Sequence, residues 1–283
     1  MSLMNILVTG ANGGYGSRAL DYLQQFIPEA NLYGLVRSEN KGAALKEKGI
    51  NIRIGDYADL DSMKKALQGI GRLLFVSSPI PNIQKNVIDA AKEAGVQYIA
   101  YTSIYQPEYD KFGLEINHKQ TEQWIKDSGI PYTILRNSWY MEVHQALFDY
   151  AKQTNKFEYF ATKGKLSFAL RREYAEAGAR VIVEKSNKEV INLANTPRSY
   201  EEIAQATKVA MNGELDIKSV SKDVFTPDLV LAGISQMWIG VSENYQQYTL
   251  NEGNGENLAD NSEFEQVLGH PLTKLSEAVK EFL

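Results

Sequence analysis

The stretch Thr9-Gly10-Ala11-Asn12-Gly13-Gly14-Tyr15-Gly16 decides the fold of this chain. It follows the β-rich run 5–9 and opens the segment 14–26, whose apolar residues recur at helical spacing. Glycines at these three-residue intervals allow a tight turn, a close approach of the backbone and close packing of a helix on a strand. The chain therefore begins with a strand, a glycine-rich turn and a helix.

Strands and helices go on alternating as far as residue 136. We predict strands at 32–36, 50–54, 72–76, 96–101 and 132–135. We predict helices at 43–48, 59–67 with Asp59 as the N-cap, 82–94 and 114–126. Repeated strand–helix units of this size predict an α/β fold, a Rossmann-type doubly wound parallel sheet.

The regular alternation fades in the second half of the chain. Short β-like pieces at 166–170, 190–193 and 217–220 are interspersed with helical segments, one of them at 227–237. With Met4 as the expected natural start, we predict an NAD(P)-binding domain over 4–136, completed by later segments. The remaining 137–283 is predicted as a small C-terminal α+β region that binds substrate or forms a lid.

Composition excludes several classes of function. The chain has 283 residues, 30 Lys and Arg against 35 Asp and Glu, a net charge of −5, and no cysteine. Disulfide scaffolds, thiolate nucleophiles and cysteine metal sites are thereby excluded, and three scattered histidines predict no metal site. An acidic chain without a basic cluster predicts no nucleic-acid partner. No apolar run is long enough for a membrane span, and we expect a cytoplasmic protein.

The glycine turn at the start of an alternating β/α chain favours dinucleotide binding over an ordinary βα turn. The glycines let the backbone approach a pyrophosphate, and the helix N-terminus offers free N–H groups to it. Arg37 follows the second strand, where NAD-binding chains usually carry an acidic residue. Because a guanidinium can bind a 2′-phosphate through two hydrogen bonds, we predict NADP(H) in preference to NAD(H). A solvated surface arginine is the alternative.

Further polar residues follow the later strands, where open α/β sheets bind their ligands. Asp56 can bind an adenine amino group, and turn hydrogen bonds are the alternative role for the small polar side chains. The predicted cofactor-binding residues are Thr9, Gly10, Asn12, Gly13, Gly14, Tyr15, Gly16, Arg37, Asp56, Tyr57, Ser77, Ser78, Pro79, Thr102 and Ser103.

These residues together resemble the NmrA-like atypical short-chain dehydrogenases/reductases. The marks are Val8 to Gly13, Gly55-Asp56, Thr102-Ser103 and the run Ser128 to Asn137. Within that group, the segment 135–142 looks like that of the type 2 NAD(P)H:quinone oxidoreductases. The resemblance covers almost the whole chain.

The resemblance implies an NADPH-dependent oxidoreductase that transfers hydride to a quinone or a similar planar acceptor. Asn137, Trp139 and Tyr140 would lie where cofactor and acceptor meet, since an aromatic pair can stack on a flat ring. The predicted substrate-binding residues are Tyr105, Asn137, Trp139, Tyr140 and His144.

The catalytic pair Tyr-x-x-x-Lys of many short-chain reductases is found only at Tyr159 to Lys163, past the sixth strand, which indicates a chance match. His118 stands where lysine-containing relatives of this group carry the lysine, four residues before Glu122. We therefore predict His118 and Tyr140 as the catalytic residues; a structural histidine is the alternative for His118. Without the pair, a quinone suits better than an aliphatic ketone, whose alkoxide product needs a matched acid.

A second class of function fits the same residues. A redox sensor of the NmrA type would bind NADP(H) without turnover and regulate a partner protein. A catalyst needs a nicotinamide open to an acceptor, whereas a sensor needs an exposed apolar patch for its partner. The sequence leaves homo-oligomerisation open.

Overall fold

The computed structural model describes residues 4–251 and 253–283, without the side chain of Ala30, so Met1 to Leu3 lie outside the described residues. The first part of the chain contains β1 Ile6–Val8, α1 Gly16–Phe26, β2 Leu32–Val36, α2 Glu39–Glu47, β3 Asn51–Ile54, α3 Leu60–Leu67, β4 Arg72–Phe75, α4 Gln84–Glu93, β5 Tyr98–Ile104, α5 Leu114–Ser128 and β6 Tyr132–Asn137. The rest contains β7 Trp139–Tyr140, α6 Gln145–Thr154, β8 Lys156–Tyr159, β9 Phe168–Ala169, α7 Arg171–Glu184, β10 Val190–Leu193, α8 Tyr200–Ala210, β11 Asp216–Ser219, α9 Lys222–Leu231, α10 Gln236–Leu250, α11 Ser262–Leu268 and α12 Leu275–Lys280.

The chain divides into two compact units. The first unit contains the described residues up to Asn137, together with Arg171–Leu193 and Ser262–His270. The second contains Ser138–Leu170, Ala194–Asn261 and Pro271–Leu283. The first unit thus takes two segments from the second half of the chain, and the functional division into 4–136 and 137–283 stays a prediction.

The first unit is built on a seven-stranded sheet in the order β10-β6-β5-β4-β1-β2-β3, with every neighbouring pair parallel. The order of the strands reverses between β1 and β4, and open α/β sheets bind ligands at such a switch point. The predicted Rossmann-type doubly wound sheet is confirmed.

The apolar core of this unit fills the space between one face of the sheet and its helices. Leu7, Phe75, Tyr101 and Ile134 come from four strands, and Ile125 comes from α5. Local signals begin and end the helices: in the first turn of α3, the N–H groups of Asp61 and Ser62 donate to the Asp59 carboxylate, at 3.0 and 3.1 Å. The predicted N-cap is confirmed.

Two features of the second half differ from the sequence prediction. Val190–Leu193 has the predicted bounds but is the seventh strand of the main sheet, where it pairs with β6. The helix predicted at 227–237 was wrong, because α9 ends at Leu231 and α10 begins at Gln236. Gly233, with φ +77°, lies in the left-handed conformation that ends helices.

The second unit is a small α+β structure with two short parallel strand pairs, β8 with β11 and β7 with β9. Helix α10 packs against α6 and α9, and α8 packs against α12. Over the described residues, no helix of either unit has the length and apolar character that crossing a membrane requires.

Candidate cofactor and acceptor site

A cleft of about 510 Å³ lies along the carboxyl ends of β1, β2, β3 and β4 in the first unit. Nine of the predicted cofactor-binding residues line it: Gly10, Asn12, Gly13, Arg37, Asp56, Tyr57, Ser77, Ser78 and Pro79. Sequence reasoning missed the other lining residues, which are Ala11, Leu35, Val36, Lys41, Gly55, Val76, Ile80 and Ile83. Six of these eight are apolar, and three of the six, Leu35, Val36 and Val76, lie at the ends of β2 and β4, where their exposure depends on the order of the strands in the sheet.

The glycine turn has the geometry that a phosphate-binding loop needs. Gly10 has φ +57°, and the Gly13 N–H donates to the Gly10 carbonyl at 2.8 Å. A Cβ at Gly16 would overlap that same carbonyl oxygen, so α1 can start this close to β1 only with glycine there. In the first turn of α1 the Ser17 N–H donates to the Gly13 carbonyl at 3.0 Å and the Ala19 N–H to the Tyr15 carbonyl at 2.9 Å. The positive end of the helix dipole still favours an anion beside this turn.

Three cations accompany this loop. Arg37 and Lys41 are exposed and line the cleft, and the Asn12 side-chain amide donates to the Lys41 carbonyl at 2.5 Å. This bond ties the glycine loop to the first turn of α2. Arg171, at the start of α7, lies against Gly14, where a Cβ would overlap its guanidinium. Arg37 was predicted from the sequence, whereas Lys41 and Arg171 were not, because they reach the loop from the separate helices α2 and α7.

Tyr57 forms one wall of the cleft and is held from behind. Its hydroxyl bonds to the Thr9 hydroxyl and to the Val76 carbonyl, the latter at 2.7 Å. The Val76 N–H in turn donates to the Thr9 hydroxyl at 2.8 Å. Burial raises the pKa of Tyr57, so its hydroxyl stays protonated. Thr9 therefore does not line the cleft, but its hydroxyl holds Tyr57 and Val76, which do.

The turn Ser77-Ser78 is fixed by side chains from three other elements. The Ser77 N–H donates to the Thr102 hydroxyl at 2.9 Å, and the Ser78 N–H donates to the Gln84 amide oxygen at 3.0 Å. The Ser78 carbonyl accepts from the Asn117 amide at 2.8 Å. With its backbone groups bonded in this way, the turn is a rigid part of the cleft wall.

Both predicted cofactor residues at the end of β5 have hydroxyls that bond within the unit. Thr102 and Ser103 are buried, and the Ser103 hydroxyl donates to Glu122 at 2.7 Å. Glu122 also accepts two bonds from the guanidinium of Arg136, at 3.0 and 2.8 Å. This network joins α5 to the last residues of β5 and β6.

Gly14, Tyr15 and Gly16 do not line the cleft either. The Tyr15 hydroxyl is buried and donates to the Tyr174 carbonyl at 2.9 Å, and it fills the space beside Gly178. Tyr15 thus fixes α1 against α7, which is the structural role its position allows. Contacts of these three residues with a cofactor stay a prediction.

His118 lies on α5, half-buried, with Nδ1 3.1 Å from the Tyr101 hydroxyl. Burial lowers the pKa of His118 to about 4, although the carboxylates of Glu122 and Glu115 act in the opposite direction. A histidine with this pKa is neutral near pH 7, so it can offer a hydrogen bond but is a poor source of protons. Its role as a catalytic residue stays a prediction.

Trp139 is buried in the second unit and its indole N–H donates to Glu256 at 3.0 Å. The same carboxylate accepts from the Tyr248 hydroxyl at 2.9 Å and from the Ser167 N–H at 3.0 Å. Tyr245 and Tyr248 stand edge-on to the indole, with ring centres 5.0 and 5.8 Å away. Glu256, which the sequence analysis missed, therefore fixes the orientation of Trp139.

His144 is completely enclosed in the second unit, in contact with Phe148, Phe168 and Tyr200. Both ring nitrogens lack a hydrogen-bond partner among the described residues. Burial lowers the pKa of His144 to about 3, so the ring is neutral. Its contact with a substrate, which the sequence predicted, stays a prediction.

The other three predicted substrate-binding residues differ in exposure. Tyr105 and Asn137 are buried in the first unit, where the Tyr105 N–H donates to the Asn137 carbonyl at 2.8 Å. Tyr140 is half-buried in the second unit.

Nowhere in residues 4–251 and 253–283 do three His, Asp or Glu side chains cluster in a way that could hold a metal ion.

Comparison with known proteins adds to this geometry. Residues 10–162 match the NAD(P)H-binding family, which is more than half of the chain. Quinone oxidoreductase 2 of Escherichia coli is 33% identical over 280 residues, 97% of each chain. The chain belongs to this NAD(P)H-binding family. The resemblance to NmrA-like reductases close to the quinone oxidoreductases is confirmed as well.

Two solved structures that are similar to this chain contain a bound nucleotide. The E. coli NADPH-dependent quinone oxidoreductase complexed with NADPH has a TM-score of 0.83 and 32% identity, over 98% of this chain and 99% of that one. The Citrobacter sp. triphenylmethane reductase complexed with NADP(H) has a TM-score of 0.86 and 29% identity, over 99% and 100%.

The cleft of this chain fits such a dinucleotide. Gly10 and Gly13 line it without side chains, and the cleft is apolar in its walls and cationic at one rim.

Proposed function

We propose that the chain is an NADPH-dependent oxidoreductase that transfers hydride to a quinone or another planar conjugated acceptor. The cleft at the carboxyl edge of the sheet carries this proposal, because it combines a glycine turn with two cations. The relatives support a conjugated acceptor: one is named a quinone oxidoreductase, and another is a triphenylmethane reductase studied for the bioremediation of triphenylmethane dyes, which are also conjugated molecules.

The cations at the cleft rim support a preference for NADP(H) over NAD(H). Arg37 follows β2 and Lys41 lies in α2, and together they can bind the 2′-phosphate of the adenosine ribose. Ser38, which follows Arg37, has no carboxylate that would bind a free 2′-hydroxyl and repel the phosphate. The Arg37 guanidinium can donate two directed hydrogen bonds to this phosphate, and the Lys41 ammonium adds a positive charge on a flexible side chain.

The residues of the chain have to bind and orient the two reactants. NADPH supplies the hydride when it is bound. Addition of hydride to a quinone gives the hydroquinone monoanion, which takes one proton from water to complete the product. His118 is neutral near pH 7 because burial lowers its pKa to about 4, so its predicted catalytic role would be to offer a hydrogen bond and not a proton. We assign the orientation of the acceptor to Tyr140 and Trp139, as the sequence analysis predicted.

The proposal is tested by following NADPH oxidation with a panel of benzoquinones and naphthoquinones, and by repeating the series with NADH. We expect turnover with several quinones and a lower KM for NADPH than for NADH. Tyr140→Ala should lose quinone turnover while it binds NADPH normally. Tyr140→Phe keeps the aromatic ring and removes the hydroxyl, so it distinguishes the contribution of the ring from that of the hydroxyl. Tight NADPH binding without turnover of any acceptor would contradict the enzyme and favour a redox sensor.

A further inference from the structure

Asn137 is a buried amide that nothing in the first unit satisfies. The residue is 5% exposed, and neither its Nδ2 nor its Oδ1 has a hydrogen-bond partner within the described part of the chain. Buried polar groups are almost always hydrogen-bonded, because an unpaired one loses its hydrogen bonds to water and gains none within the protein. An amide left unpaired at this place indicates that a ligand completes its bonds.

The position of Asn137 on the sheet points to one half of the cofactor. Asn137 is the last residue of β6 and pairs in register with Ile104, the last residue of β5. The cleft covers the ends of β2, β1 and β4, and β5 and β6 follow on the same edge. Four strand spacings of about 4.8 Å separate β2 from β6, about 19 Å in all. A dinucleotide with its adenosine at Arg37 thus extends towards Asn137.

The two unpaired atoms discriminate between candidate ligands. Nδ2 carries two donor hydrogens and Oδ1 is an acceptor, so full pairing needs a ligand with both an acceptor and a donor. A quinone carbonyl or a phosphate oxygen only accepts, and either would leave Oδ1 unpaired. A ribose hydroxyl can donate and accept, but only through one oxygen atom, whereas a primary carboxamide has a donor and an acceptor side by side and matches an asparagine amide in two antiparallel hydrogen bonds.

We propose that the side chain of Asn137 pairs with the carboxamide of nicotinamide, with Nδ2 donating to the carboxamide oxygen and Oδ1 accepting from its N–H. The pair fixes the rotation of the nicotinamide ring and thereby selects the ring face that is presented to the acceptor. Asn137 is therefore a cofactor-positioning residue and not part of the acceptor pocket. This inference rests on the proposed NADPH dependence.

The experiment compares binding of the whole cofactor with binding of its adenosine half alone. Wild type and Asn137→Leu are titrated calorimetrically with NADP⁺ and with 2′,5′-ADP, which contains the adenosine half alone. We expect the variant to bind 2′,5′-ADP as wild type does and to bind NADP⁺ about 10- to 100-fold more weakly, as the loss of two hydrogen bonds requires. Equal affinity of both proteins for NADP⁺, or an equal loss for both ligands, would overturn the proposal.

An analogue of the cofactor tests the hydrogen bond to Oδ1 directly. The 3-acetylpyridine analogue of NADP⁺ keeps the carbonyl of the carboxamide and has a methyl group in place of its NH2 group. Wild type should bind this analogue more weakly than NADP⁺, and Asn137→Leu should bind the two alike. Independent effects of the residue and the analogue would mean that the two groups do not touch.

Thermal unfolding of the free proteins excludes a merely structural role. Asn137→Leu removes an unpaired amide, so its melting temperature should equal or exceed that of wild type. Asn195→Leu is the matched control, because the Asn195 amide donates to the Phe168 carbonyl at 3.0 Å and its loss should lower the melting temperature. A similar fall for both variants would contradict the inference.

If wild type binds neither ligand, the proposed cofactor dependence fails, and the inference fails with it. If wild type binds both ligands and Asn137→Leu does not distinguish them, only the inference fails.

Discussion

Replacing His144 with phenylalanine should remove part of the acid sensitivity of the fold. The imidazole is fully enclosed among Phe148, Phe168 and Tyr200, with no hydrogen-bond partner found for either nitrogen in the described residues. Burial lowers the pKa of His144 from 6.5 to about 3. Once the chain unfolds, the ring is hydrated and regains its ordinary pKa near 6.5.

The sign of the effect follows from which state binds the proton. Above pH 6.5 the ring is neutral in both states, and His144 adds nothing to the pH dependence. Below pH 6.5 the unfolded chain binds a proton that the folded chain cannot bind, so stability falls until the pH reaches about 3. Between pH 7.5 and pH 5.0 this loss is about 2 kcal/mol for one group whose pKa is lowered so far.

The assay is urea unfolding of wild type and His144→Phe at pH 7.5 and at pH 5.0. The larger ring changes packing by a constant amount, which cancels when each protein is compared with itself at the two pH values. We expect wild type to lose about 2 kcal/mol more than the variant over this interval.

Phe148→Leu is the matched control, since it disturbs the same aromatic cluster without removing a titratable group. Its pH dependence should follow that of wild type, even though its stability is lower at both pH values. The reasoning is refuted if wild type and His144→Phe lose the same free energy of unfolding between pH 7.5 and pH 5.0. That result would mean that His144 is paired, or is protonated in the folded chain.

Three further predictions follow from other side chains. Arg37→Asp should weaken NADPH binding by about 10- to 100-fold and Lys41→Ala by less, with NADH binding unaffected by Lys41→Ala, because a bond to a charged group contributes about 1.5–3 kcal/mol; fluorescence titration with both nucleotides measures this, and equal losses for both nucleotides would contradict it. The plot of kcat/KM against pH should show no ionisation of His118 between pH 5 and pH 8, since burial lowers its pKa to about 4; a limb near pH 6.5 that disappears in His118→Asn would show the opposite. Glu256→Ala should destabilise the second unit by about 3 kcal/mol, because it removes the carboxylate that accepts from the Trp139 indole N–H, the Ser167 N–H and the Tyr248 hydroxyl. Unchanged tryptophan fluorescence and an unchanged urea midpoint would contradict this.

The first half of the chain could be predicted from local signals. A glycine turn, the two-residue period of strands and the 3.6-residue period of helices lie within short windows of sequence, and β2 Leu32–Val36 has the predicted bounds. The predicted cofactor residues that line the cleft follow from the same rule, because parallel strands bring their carboxyl ends to one edge.

The second half could be predicted less well, for a physical reason. Whether 190–193 joins the main sheet depends on pairing with a strand more than 50 residues earlier, which its own composition does not reveal. The break at Gly233 is a local signal, but the apolar spacing across it is also that of a continuous helix.

By itself, the sequence determined the doubly wound fold, the family and the glycine turn after β1, because each depends on residues close together in the chain. Only the tertiary structure revealed Lys41 beside Arg37, Glu256 on Trp139 and the unpaired amide of Asn137. Trp139 and Glu256 are 117 positions apart, and no period in the sequence spans that distance. Whether a polar side chain is satisfied depends on every atom that surrounds it, and folding alone brings those atoms together.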